Sequence, residues 1–147
     1  MANLHQSGEE LIQRAVFNDD TLTKPASVNV GLYNTSDSLA DGDDLAAITT
    51  EASGSAYSRI AVALDSTDFD VSASGSNFVA SVNKQIEFDI SDDEGSFDGW
   101  FIAINYQRDG DASADDHLMF SGNLDTTYES YVDRLGVDNI SGTLEND

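Results

Sequence analysis

Apolar side chains recur at every second position in several short segments, and this alternation limits the fold more than any other feature of the sequence. Val28, Val30 and Leu32 alternate with small or polar residues in SVNVGLY, and KQIEFDIS shows the same pattern. A strand places successive side chains on opposite faces, so this period predicts strands rather than helices. The segment WFIAINY is apolar on both faces, with Trp100 on one and Phe101 on the other. It is therefore predicted to be a central strand that is covered on both sides.

Further segments of strand character follow one another along the chain, separated by turn-forming residues. They are YSRIAVAL, FDVSA, NFVASVN, HLMFSGNL and a short stretch within DNISGTLEND. Turns spaced about 8–12 residues apart are typical of β-sandwiches and jelly rolls. We therefore expect one mainly β domain over residues 1–147, an antiparallel β-sandwich or jelly roll of about seven or eight strands. An N-terminal helix is expected over about residues 3–18, with the sandwich over about residues 26–145.

The N-terminal segment NLHQSGEELIQRAVFN has the features of a helix. Ser7 is a candidate N-cap, and Glu10 three residues later would complete a capping box. Leu11 and its neighbours place apolar residues on two sides of this helix, so we expect it to dock on a partner. The polar stretch 34–54 is predicted to be a long loop with one helical turn near Leu45.

The charge of the chain is extreme for its size. Six lysines and arginines face twenty-eight acidic residues, a net charge of −22, and three quarters of the acids are aspartate. At about 1 M salt the Debye length falls to about 3 Å, which screens the self-repulsion of such a chain. The composition therefore predicts a protein from a molar-salt environment. It argues against binding to nucleic acids or to anionic membranes, since both require a basic surface.

Several classes of chemistry lack their sequence signatures. Cysteine is absent, which excludes disulfides and thiolate chemistry. No HExxH motif, nucleophile elbow or phosphate-binding glycine loop is present, so we expect no enzymatic activity. No apolar stretch reaches the ~18–20 residues of a membrane span, and no signal-peptide core is seen at the N-terminus. We expect the chain to be made as a soluble protein.

One loop has the composition of a metal site. Asp109, Asp111 and Asp115 in DGDASADD have spacings similar to those of a calcium loop. Ala114 stands where such a loop has glycine, and Phe120 where it has the closing glutamate. The alternatives are a loosely held Ca²⁺, Mg²⁺ or monovalent ion, or a solvated acidic loop. No other cofactor is expected.

Two sequons and a set of aromatic residues offer further candidates. Asn34 and Asn139 each begin an N-glycosylation sequon. Tyr128 and Tyr131 are the aromatics expected to be exposed, and they would provide stacking platforms if the domain were a carbohydrate-binding module. Trp100 is expected to pack in the core instead, and so is Tyr106.

The order of these segments resembles a family of small structural proteins of tailed viruses, either head-associated or similar to tail fibres. The matching segments are TKPASVNVGLYNTSDS, SAYSRIAV, NKQIEFDIS, GWFIAINY and HLMFSGNL. The similarity extends from about Gly8 to Leu144, and Tyr57 and Arg59 stand at the positions of the family's YxR motif. Gly31 departs from the family, which usually has alanine there.

The resemblance implies a non-catalytic virion component. Combined with the molar-salt composition, it implies a haloarchaeal tailed virus, with a capsid turret or decoration protein preferred over a tail fibre or baseplate subunit. The chain would assemble with itself, as a trimer to hexamer, and with major capsid or tail proteins. Its location would be the virion, assembled in the host cytoplasm. Tyr57, Arg59 and Trp100 are the expected structural residues, and Arg59 is expected to form an ion pair or to bridge protomers.

Overall fold

A computed structural model describes residues 2–18, 22–74, 77–92, 95–129, 135–137 and 141–144. These residues form one α-helix, short π and 3₁₀ turns, and ten strands. The helix α1 spans Gln6–Gln13, and the strands are β1 (Asn3–Leu4), β2 (Ser27–Tyr33), β3 (Ile60–Ala63), β4 (Phe69–Ser74), β5 (Asn77–Val82), β6 (Ile86–Phe88), β7 (Ser96–Tyr106), β8 (Asp115–Glu129), β9 (Leu135–Val137) and β10 (Ser141–Leu144). The expected fold class, an antiparallel β-sandwich with an N-terminal helix, is confirmed.

The larger sheet contains five strands in the order β1-β8-β7-β2-β3, and all neighbours are antiparallel. The most apolar strand, β7, lies at its centre, as its sequence predicts. Val30 of β2 and Phe120 of β8 both pair with Ile102 of β7. A three-stranded sheet, β10-β5-β4, and the pair β6-β9 form the remaining strand pairings.

The main core lies on one face of the five-stranded sheet and includes residues of β5 and β6. Its members are large apolar side chains that are almost completely buried. They include Val28, Val30, Leu32, Val62, Val82, Ile86, Phe88, Ile90, Trp100, Ile102, Ile104 and Phe120. These are the alternating positions of the sequence, so the period-two pattern correctly identified the inward-facing side chains.

The opposite face of the same sheet is covered by the long segment 34–54. Tyr33, Phe101 and Leu118 form a second buried cluster, against which Leu39 and Leu45 of the segment pack. The expected helical turn is present as a 3₁₀ turn, Leu45–Ala47. Both faces of β7 are therefore buried, as expected.

The N-terminal helix is shorter than predicted, and its predicted capping box is wrong. Residues Asn3–Leu4 pair with β8 as an edge strand, and the amide of His5 donates to the carbonyl of Met119. The N-cap is His5, and it makes no side-chain capping bond. Ser7 lies inside the helix and is buried, and Glu10 binds arginines instead. Pairing with the edge of β8 satisfies the backbone groups that the sequence pattern assigned to a first helical turn.

Strands β8 and β9 are among those that the sequence predicted incompletely or not at all. The prediction for HLMFSGNL covered about half of β8, which runs over 15 residues. The segment LGV of β9 was not predicted as a strand, and it pairs with β6. Within the described part of the chain, no helix has both the length and the apolar character to cross a membrane.

Candidate assembly surface

Arg59 lies just before β3 and is bound by Glu51. Its Nε donates to Glu51 Oε1 and its Nη2 to Glu51 Oε2, both at 2.7 Å. The guanidinium also lies 5.0 Å from the centroid of the Phe101 ring, and Nη1 is 3.8 Å from an Asp116 oxygen. The pKa of Arg59 is raised, chiefly by the hydrogen bonds to Glu51. Arg59 therefore makes an ion pair within its own chain.

Tyr57 connects this ion pair to the central sheet. Its hydroxyl donates to Glu51 Oε1 at 3.1 Å and accepts from the amide of Leu32 at 3.0 Å. Burial raises the pKa of this phenol, and its ring stacks on Phe88 with centroids 6.0 Å apart. We call Glu51, Tyr57, Arg59 and Phe101 the Arg59 cluster. The cluster links the segment 51–59 to β2. Two of its four members, Tyr57 and Arg59, are structural residues expected from the sequence.

Gly31 lies beneath the same cluster. A Cβ atom on Gly31 would lie 2.3 Å from Phe101 Cζ and 2.9 Å from the Tyr57 hydroxyl. Alanine therefore does not fit at this position unless the phenylalanine ring moves.

Trp100 is a core residue, 5% exposed. Its indole fills the space above Gly122 on β8, where a Cβ atom would lie 2.6 Å from Trp100 Cζ2. Tyr106 is also buried, and its hydroxyl donates to the carbonyl of Ser7 at 2.6 Å. Both aromatics therefore occupy the core, as expected, and offer no platform for a sugar ring. The side chains of Tyr128 and Tyr131 lie outside the described residues.

The three aspartates of the predicted metal loop do not converge. Asp109 donates its amide to Glu10 Oε1 at 2.9 Å, Asp111 approaches His117, and the backbone of Asp115 pairs with that of Tyr106 in the β7–β8 ladder. Across the described ranges, no group of three or more acidic or histidine side chains is arranged to hold a metal ion. The geometry of a calcium loop is therefore not formed by these three residues.

Glu10 joins helix α1 to the loop after β7. It accepts from Arg108 Nε at 2.9 Å and from Arg14 at 3.4 Å, in addition to the amide of Asp109. Burial alone would raise its pKa, but the bonds from Asp109 and Arg108 outweigh this and hold the pKa below its usual value. Glu10 therefore anchors the helix to its own sandwich.

The first sequon lies on a half-buried turn. Asn34 Nδ2 donates to the carbonyl of Ser96 at 2.9 Å and to its hydroxyl at 3.2 Å, and Asn34 Oδ1 accepts from the amide of Ser36. Glycosylation of Asn34 would have to break both bonds to Ser96. Asn139 lies outside the described residues.

Large apolar side chains are exposed where the N-terminal helix ends. Val16 is 67% exposed and Phe17 is 82% exposed, and both lie on the π-helical turn Arg14–Asn18. We call this pair the apolar ridge. Exposed apolar residues that are grouped together mark interaction sites. Leu11 and Ser7 are buried against the same chain. The part of the helix expected to dock on a partner is therefore its C-terminal end.

A groove of about 510 Å³ opens between the two main sheets. One wall is formed by Val28, Ile102 and Phe120 of the five-stranded sheet, and the other by Phe69, Val71 and Ala80 of the three-stranded sheet. Val71 is 66% exposed. Sequence patterns did not reveal this groove, because it arises from the separation of the sheets.

No family model, curated protein or solved structure matches this chain.

Proposed function

We propose that this chain is a virion structural protein of a halophilic tailed virus, a capsid turret or decoration subunit that assembles as a small homo-oligomer. The observation that carries the proposal is the apolar ridge, which exposes Phe17 and Val16 on a chain with a net charge of −22. An acidic surface keeps particles dispersed in brine. A large exposed aromatic does not serve that purpose, and it is explained by burial against another subunit.

The ridge and the groove have complementary properties. One is a protruding aromatic and aliphatic pair, and the other is a cleft large enough to accept it. The walls of the cleft are mainly apolar, and Lys24, Asp65 and Asp70 also line it. We assign the groove of a second copy as the site that accepts the ridge. Contacts between two different surfaces of identical subunits are head to tail, and they close into rings when the rotation allows it. This arrangement agrees with the trimer to hexamer expected from the sequence resemblance.

The salt environment supports self-assembly of such an acidic protein. Copies with a charge of −22 repel one another in dilute buffer. At about 1 M salt the range of this repulsion falls to about 3 Å, so apolar contacts between copies can form. Assembly is therefore expected in molar salt and lost in dilute buffer.

The assembly is tested by mixing two variants. Phe17→Asp places a charge on the ridge and leaves the groove intact, and Val71→Asp places a charge in the groove and leaves the ridge intact. Both positions are exposed, so neither change disturbs the core. By light scattering in molar NaCl, wild type should be a closed oligomer and each variant alone a monomer. The mixture should give one-to-one dimers, because one intact ridge meets one intact groove.

The matched control is Ser36→Asp, which adds the same charge at another exposed position and should assemble like wild type. Wild type that stays monomeric in molar salt would contradict the homo-oligomer. Variants that are monomeric alone and do not combine when mixed would show that the contact is not head to tail.

The place of the protein in the particle requires a separate test. Gold-labelled antibody against the chain, applied to particles from the source lysate in high salt, should decorate the head. Label confined to the tail end would replace the capsid assignment with a tail fibre or baseplate subunit. Particles without label would refute a virion role, whatever the oligomeric state of the purified chain.

A further inference from the structure

His117 lies at the start of β8 and is buried, with 8% of its surface exposed. Its Nδ1 lies 2.9 Å from Asp44 Oδ2, on the segment that covers the outer face of the sheet. The edge of its ring packs on Tyr106, with centroids 5.1 Å apart. Its other nitrogen, Nε2, is the one buried side-chain polar atom of the described residues without a hydrogen-bond partner.

The surroundings of Asp44 establish which nitrogen carries the proton. Burial alone would raise the pKa of this carboxyl, but hydrogen bonds from His117 and from the amides of Leu118 and Leu45 outweigh that and lower it. An ionised carboxylate can only accept hydrogen bonds, so His117 Nδ1 is the donor. In the neutral imidazole, Nε2 then carries a lone pair.

That lone pair faces a second carboxylate. Asp111 Oδ2 lies 4.0 Å from His117 Nε2, too far for a hydrogen bond. The lone pair and the carboxylate repel each other unless a metal ion lies between them or a second proton on the ring makes Nε2 a donor. Zinc binds imidazole nitrogen and carboxylate oxygen at about 2.0–2.2 Å each, and tetrahedral coordination places two such ligands roughly 3.4 Å apart. Asp111 therefore has to move about 0.6 Å toward His117 to bind the ion.

We propose that His117 Nε2 and Asp111 Oδ2 are the protein ligands of a divalent transition-metal site of the Zn²⁺ class, with solvent completing the coordination. An imidazole ligand favours zinc, nickel or copper over calcium and magnesium, which prefer oxygen. A metal-bound histidine usually donates its other N–H to a carboxylate, and Asp44 provides that support here. The exposed Asp111 lies on a surface turn, so its carboxylate can adjust toward the ion.

The proposed site differs from the calcium-like loop predicted from the sequence. It uses one aspartate of that loop, Asp111, together with a histidine from the following strand. Asp109 and Asp115 are not ligands. This difference makes Asp109→Asn a matched control, because it removes the same charge from the same turn as Asp111→Asn.

Imidazole ¹⁵N NMR of the full chain can test the site, with ZnCl₂ titrated at neutral pH in molar NaCl. The chain has two histidines, and His5 is an internal reference because both of its ring nitrogens have partners, the Ala40 carbonyl and the Ser121 hydroxyl. Zinc should shift His117 Nε2 at one equivalent and leave His5 unchanged. Asp109→Asn should bind like wild type, and Asp111→Asn at least about tenfold more weakly. Asp44→Asn should lose about 10–100-fold in affinity, as is typical when a supporting carboxylate is removed.

Three results would overturn the site. The first is a His117 resonance that does not respond to zinc. The second is an equal loss of affinity in Asp109→Asn and Asp111→Asn, which would indicate diffuse binding by an acidic turn. The third is a His117 ring that is protonated on both nitrogens at neutral pH and stays so when zinc is added. The charge of the ring, and not a metal ion, would then balance the carboxylates of Asp44 and Asp111. Asp111 is exposed, so its variant provides a readout even if a substitution of His117 prevents folding.

Discussion

At the scale of single residues, Arg59 shows how one cation can order an acidic chain. The guanidinium binds both oxygens of Glu51 and lies on the ring of Phe101. Lysine could not reproduce this geometry, because only arginine presents a planar fork that matches a carboxylate and can stack on a ring. With its side chain 30% exposed, the pair is partly shielded from solvent.

Replacing Arg59 should therefore destabilise the protomer. We expect Arg59→Ala to lower the free energy of unfolding by about 1.5–3 kcal/mol, the range for hydrogen bonds to charged groups. Arg59→Lys should recover less than half of that loss. The control is Lys84→Ala, which breaks the ion pair with Asp68 and should cost much less, since solvent screens the exposed ammonium group. Urea unfolding in molar NaCl provides the measurement, and equal losses for the two alanine variants would contradict the clustered role of Arg59.

The sequence could identify Arg59 but not its partner. Arg59 stands out because cations are scarce and because it lies within the apolar segment YSRIAVAL, two residues after Tyr57. Glu51 is one of many acids in polar loops, and nothing local distinguishes it. The same limit applies to His117, whose contacts with Asp44 and Asp111 depend on three segments meeting in the fold. The sequence also cannot show what surrounds Gly31, because the Phe101 ring that fills its space is placed there by the fold.

At the scale of elements, the period-two pattern predicted the strands better than capping rules predicted the helix. The alternation reports burial on a sheet face, and burial is what stabilises β2 and β7. A capping box can be placed only if the first residue of the helix is known. The helix begins later than its sequence pattern predicts, because Asn3–Leu4 pair with the edge of β8. The short strand β9 could not be predicted, since three residues are too few to show a period.

One of the carboxylates that hold the segment 34–54 in shape is that of Asp37. Asp37 accepts from the amide and hydroxyl of both Thr49 and Thr50, over 2.7–3.0 Å. Burial alone would raise the pKa of Asp37, but these four bonds outweigh it and lower the pKa. The segment is therefore closed by an ionised side chain and covers the outer face of the central sheet.

This predicts a pH-dependent contribution to stability. A carboxyl whose pKa is lowered in the folded state stabilises above its unfolded pKa of about 3.9, and this contribution is lost as the pH falls through the folded value. Asp37→Asn should cost about 1 kcal/mol at neutral pH, since solvent screening limits the four bonds. The difference from wild type should shrink as the pH falls below about 4. Asp41→Asn, at an exposed position of the same segment, should show neither effect in urea unfolding. A loss that does not depend on pH would contradict the role of the ionised carboxylate.

At the scale of the whole molecule, a well-packed sandwich carries a charge that opposes its own folding. The core is formed by ordinary apolar side chains, and the acidic residues lie mostly on the surface and in turns. A net charge of −22 on 147 residues adds repulsion that the unfolded chain relieves by expanding. The balance between these two effects is set by the ionic strength of the solvent.

Salt should therefore stabilise the protomer in a characteristic way. The urea midpoint of unfolding should rise steeply with NaCl in the dilute range and level off near about 1 M, where the Debye length is about 3 Å. Screening saturates in this way, whereas salts that act by exclusion from the protein surface continue to stabilise in proportion to their concentration. Phe17→Asp is expected to stay monomeric at every salt concentration, so it separates this effect from assembly. Any further rise in the midpoint of wild type would then come from subunit contacts. A midpoint in this variant that stays constant or falls with NaCl would show that self-repulsion does not limit the fold.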